Sequence, residues 1–74
     1  MDNKLLIEVS GRRGKSRIIY LLKKVLRDNG FEVQFNGGRD FDDEEHFDEF
    51  IGKDFDRIIE ILRNDTTVVI NEVH

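Results

Sequence analysis

The chemistry this chain could do is concentrated in Ser10-Gly11-Arg12-Arg13-Gly14-Lys15-Ser16. Two glycines open a turn in which backbone N–H groups face outward, the geometry that receives a phosphate. Lys15, at the start of a helical pattern, can reach a phosphate oxygen, and the Ser16 hydroxyl can ligate magnesium. Arg12, Arg13 and, one position further on, Arg17 add positive charge. Gly11, Arg12, Arg13, Gly14, Lys15 and Ser16 are therefore the candidate phosphate-binding residues.

Such a loop works only if flanking elements hold it. Upstream, Leu5, Leu6, Ile7 and Val9 form an almost wholly apolar run, as expected of a strand covered on both faces. Downstream, Ile18, Leu21, Leu22 and Val25 recur at helical spacing between Lys15 and Asp28, with Ile19 and Leu26 widening the stripe. Asn29-Gly30 supplies a left-handed stop. Phe31-Glu32-Val33-Gln34-Phe35 alternates and predicts a second strand, followed by a loop over 36–43. A second helix is expected from Asp42, with Glu45 as its capping-box partner. Its stripe is Phe47, Phe50, Ile51, Phe55, Ile58, Ile59 and Leu62, and Gly52 within it marks a close contact or a weak point. Asn64-Asp65 closes that helix, and Thr66–Val73 reads as a third strand.

The expected fold is thus α/β, in the order β-α-β-α-β. Helical connections of this length imply parallel strands joined by right-handed crossovers. Placing the apolar first strand at the centre gives a three-stranded parallel sheet of order 2-1-3, with the two helices on opposite faces. The candidate loop would then sit at the carboxyl edge of the sheet, where ligands gather in Rossmann-like folds.

Seen in this context, Val9 to Ser16 resembles the Walker A motif of P-loop NTPases and nucleotide kinases, G-x-x-x-x-G-K-[ST]. Gly14, Lys15 and Ser16 match it, and Val9 stands at the motif's first glycine. The whole chain is similar to the N-terminal part of P-loop kinases and to very short P-loop-like proteins of bacteriophage genomes. The resemblance implies a nucleoside triphosphate or phosphate as ligand, with a magnesium-nucleotide as cofactor. Glu72, ending an apolar run, would take the place of the family's Walker B acid and share magnesium with Ser16. The chain lacks sequence for a lid or a nucleoside-binding region, and its loop is short for a full phosphate cradle. The resemblance therefore implies a non-catalytic domain that acts by binding a phosphate-bearing ligand or a protein partner. Two alternatives stand beside it: an NTPase that completes its site by oligomerisation, and an interaction module that uses its acidic helix.

Composition narrows the classes further. Seventy-four residues allow a single domain, and without cysteine it has neither disulfides nor a thiolate metal site. No apolar run approaches the roughly 20 residues of a membrane span, and Met1-Asp2-Asn3-Lys4 lacks the form of a signal peptide. A cytoplasmic location is expected, in the host cytoplasm for a phage protein. Residues 1–39 carry nine Lys/Arg against four Asp/Glu, and residues 40–74 carry three against twelve. The two halves should attract each other. An acidic balance with one tyrosine and no tryptophan argues against nucleic acid as a partner. The acids Asp40, Asp42, Asp43, Glu44 and Glu45 lack EF-hand spacing and read as complements to a helix dipole. His46 reads as a surface residue and His74 as a mobile terminal one. An uncovered apolar face would invite a protein partner or a homodimer.

Overall fold

The strongest local signals in the chain are helical, and the computed structural model resolves them into three helices. It describes all residues except Met1, Asp2, Arg39 and Asp42. The first helix, α1, spans Lys15–Asp28, as its periodicity predicts. It ends in a Schellman motif: Phe31 N–H donates to Leu26 O at 3.0 Å and Gly30 N–H to Arg27 O at 3.0 Å. Gly30 has φ +86°, the left-handed value that the Asn29-Gly30 stop requires.

The expected second helix is two helices, α2 over Glu44–Gly52 and α3 over Phe55–Leu62. The break falls just past Gly52, at Lys53 and Asp54. Glycine weakens a helix interior, and here it also admits a neighbour. A Cβ at position 52 would lie 2.8 Å from the Tyr20 hydroxyl oxygen. The cap of α2 is Asp43, whose side chain accepts from Glu45 N–H at 3.0 Å. The expected cap, Asp42, lies outside the described residues.

The α/β expectation is overturned. Among the described residues there is no strand, so the β-α-β-α-β order, the three-stranded parallel sheet of order 2-1-3 and the P-loop-like or Rossmann-like architecture are all incorrect. Residues 3–9, 31–36 and 66–74 lie outside the helices and form no ladder with one another. The physical reason is the range of the interactions. Helical hydrogen bonds close locally, whereas parallel pairing must recruit partners across whole crossovers at a large entropic cost. Apolar runs and alternation report a need for burial, and that need does not by itself supply a pairing partner.

Instead of covering a sheet, the helices pack on one another, each touching the other two. Phe47, Ile51 and Leu62 are buried between them. An aromatic cluster extends this core, with Phe35 and Phe41 against Phe47 at centroid distances of 4.6 and 5.4 Å. Tyr20 packs on Phe55 at 4.8 Å. Phe50, expected in the core, is exposed and rests on Phe41 at 5.6 Å. Leu21 and Val25, half of the predicted stripe of α1, are also exposed. The face that α1 turns to α2 carries Lys23, which is 5% exposed.

Candidate functional site

The glycine-rich loop reaches α1 through Gly14, the residue before the helix, at φ +88° and ψ +3°. Few L-residues adopt that conformation, and the surroundings add a second constraint. A Cβ at Gly14 would meet the Leu62 methyl groups at 3.0 and 3.1 Å. Gly11 has φ +148° with open space around it. The two glycines thus bend the chain through residues 11–13 and bring the start of α1 against the end of α3.

The first turn of α1 is electrostatically unusual. It has no side-chain cap and no acidic residue, while α2 opens with Glu44 and Glu45, and α3 has Asp56 in its first turn. Lys15 and Arg17 occupy that turn, with Arg12 and Arg13 just upstream. Cations at a helix N-terminus oppose the positive end of its dipole. Lys15 Nζ donates to Gly11 O at 2.9 Å, closing the loop on itself. Arg13 pairs with Asp65, and Arg17 Nη2 lies 3.3 Å from Asp54 Oδ1. Arg17 Nε is buried without a hydrogen-bond partner among the described residues. Arg12 is exposed and forms no ion pair among the described residues.

These groups border an open groove lined by Ser10–Arg13 on one side and Asp65–Thr67 on the other. The Asp65 carboxyl is held below the usual carboxylate range, first because Arg13 donates to it and second because the Thr66 hydroxyl does. The groove therefore presents backbone, two arginines, two threonines and one carboxylate.

Of the residues expected to bind phosphate, Gly11, Arg12 and Arg13 line this groove, whereas Gly14 and Lys15, at the start of α1, do not. Ser16 is half-buried in the first turn. Glu72, expected to share magnesium with Ser16, is exposed on the tail and does not line the groove. Among the described residues no group of three His, Asp or Glu is placed to hold a metal ion.

A second cluster of charge escaped the sequence reading. Lys23 reaches Glu44 Oε2 at 2.7 Å and also pairs with Asp48, while Arg27 shares Glu44 at 2.7 Å. The Lys23 ammonium lies 4.8 Å from the Phe35 ring centre and 5.0 Å from that of Phe47. Glu44 is held below the usual carboxylate range, chiefly by the Lys23 hydrogen bond and then by Arg27, against the opposing effect of burial. The cluster ties α1 to α2. The one hint of it in the sequence was the opposite charge of the two halves. No protein-family model, curated protein or solved structure matches this chain. Among the described residues, no helix is long and apolar enough to cross a membrane.

Proposed function

We propose that this chain is a non-catalytic binding domain that takes a phosphate-bearing ligand at the loop Gly11–Ser16. The observation that carries the reading is the start of α1, where Lys15 and Arg17 stand at the positive end of the dipole with neither acid nor cap. An anion there satisfies the free N–H groups and relieves the crowding of cations. The orphaned Arg17 Nε and the exposed Arg12 support the same reading. Asp65 acts as an internal competitor, holding Arg13 until a ligand with more charge arrives.

The test is a titration with inorganic phosphate, pyrophosphate and magnesium-ATP, followed by backbone amide shifts. Shifts are expected at Gly11–Arg17, with binding weakened about tenfold in Arg12→Ala, the loss of one charge-assisted contact. Asp65→Asn should tighten binding, because it frees Arg13. A flat titration at millimolar ligand, or tighter binding in Arg12→Ala, overturns the reading.

A second reading, binding of a protein, is favoured by a separate observation. Leu5, Leu6, Ile7, Val68, Val69, Ile70 and Val73 are all exposed on a domain whose buried apolar residues, among those described, are Phe47, Ile51 and Leu62.

A further inference from the structure

The protein exposes far more surface than a folded chain of its mass. Its accessible area is 6902 Å². A compact monomer of 8.7 kDa is expected to expose about 4,700 Å². The radius of gyration, 13.0 Å, likewise exceeds the roughly 11 Å expected for this length. The excess, about 2,200 Å² per chain, is more than the roughly 800 Å² that each partner gives to a stable interface of standard size. Two apolar runs carry much of it. Leu5 and Leu6 are 84% and 80% exposed, and Val69 and Ile70 are 75% and 85% exposed. Both runs leave the molecule from one place, since Ser10 and Thr66 line the same groove.

The N-terminal run has a further property: it is complementary to itself. Laid antiparallel on a second copy about Leu6, Lys4-Leu5-Leu6-Ile7-Glu8 sets Lys4 opposite Glu8 and Leu5 opposite Ile7, twice each. Leu6 then meets Leu6 on the two-fold axis. Parallel pairing would set Lys4 on Lys4 and Glu8 on Glu8, which like charges oppose. A two-fold interface uses one patch on both subunits, so self-complementarity is what it requires. Backbone groups of residues 3–9 pair with no other backbone among the described residues and remain available to a partner.

We propose that two copies of this chain associate through residues 4–8, paired antiparallel about Leu6. The inference goes beyond the anion reading and does not depend on it. Sedimentation velocity from micromolar to millimolar chain should give twice 8.7 kDa. Leu6→Lys sets two charges together on the axis and should return the monomer. The helical signal in its circular dichroism should be kept, because Leu6 lies outside the core. Lys4→Glu and Glu8→Lys should each weaken the dimer about tenfold, and the double reversal should restore it. A monomer at millimolar concentration overturns the proposal, as does a dimer indifferent to Leu6→Lys. A double reversal that fails to restore association rejects the antiparallel register. Phosphate titration of the Leu6→Lys monomer reports on the loop separately, so failure of either proposal can be told from failure of the other.

Discussion

Lys23 shows how a charged residue comes to sit at the centre of a small helical domain. Its ammonium lies over the Phe35 and Phe47 rings and is shared between Glu44 and Asp48. Removing a charge-assisted partner of this kind costs about 1.5–3 kcal/mol, reduced here because Glu44 keeps Arg27 and Asp48 is partly in water. Lys23→Met should therefore lower stability by about 1–2 kcal/mol in urea unfolding. Glu44 adds a pH dependence whose sign follows from its lowered folded-state pKa. Its contribution is complete above the unfolded glutamate value of about 4.3 and is lost as pH falls through the lower folded value. Stability measured between pH 6 and pH 3, both about these limits, should thus decline at the acid end, and the decline should be shallower in Glu44→Gln. An equal decline in both proteins would remove Glu44 as its source.

At the scale of elements, the informative feature is the break between α2 and α3. Gly52 ends α2 where Tyr20 of α1 crosses it, and the Tyr20 hydroxyl oxygen fills the space a side chain would need. Two effects oppose each other when alanine replaces this glycine. Helix propensity favours alanine by up to about 1 kcal/mol, and the 2.8 Å approach of the Tyr20 oxygen disfavours it. Gly52→Ala alone should be neutral or destabilising. In a Tyr20→Phe background, where the nearest remaining ring carbon is 3.3 Å away, it should be less costly than with Tyr20 in place. Urea unfolding of the four proteins as a double-mutant cycle gives the coupling directly. An additive cycle would mean that the close approach does not constrain position 52. The weak point was legible from the glycine within an apolar stripe. The aromatic that occupies it lies on another helix and was not.

For the whole molecule, charge does what packing alone does in larger domains. Arg13–Asp65, Arg17–Asp54, Lys23–Glu44, Lys23–Asp48 and Arg27–Glu44 each join a cation of the first half to an acid of the second. The partly buried pairs contribute only about 0.2–1 kcal/mol each, and all of them are screened by salt. Together they matter in a domain with so small a core. Raising sodium chloride from low to molar concentration should lower the urea midpoint, because salt screens these pairs. A midpoint that rises with salt would show burial outweighing these pairs.

What the sequence determined by itself was whatever rests on near neighbours. The bounds of α1, its Asn29-Gly30 stop, the glycine that weakens position 52 and the clustering of Arg12, Arg13 and Lys15 all follow from residues within a few positions of one another. The attraction between the halves was legible too, because charge acts at a distance and needs no register. Tertiary structure alone decided what the apolar faces met. The stripes of α1, α2 and α3 satisfy a sheet or other helices equally well by periodicity, and the helices took each other. That choice left Leu21, Val25 and the two apolar runs uncovered, and it put Lys23 against Phe47. Burial is a demand any apolar neighbour can meet, so its pattern names the faces and leaves the partners to the fold.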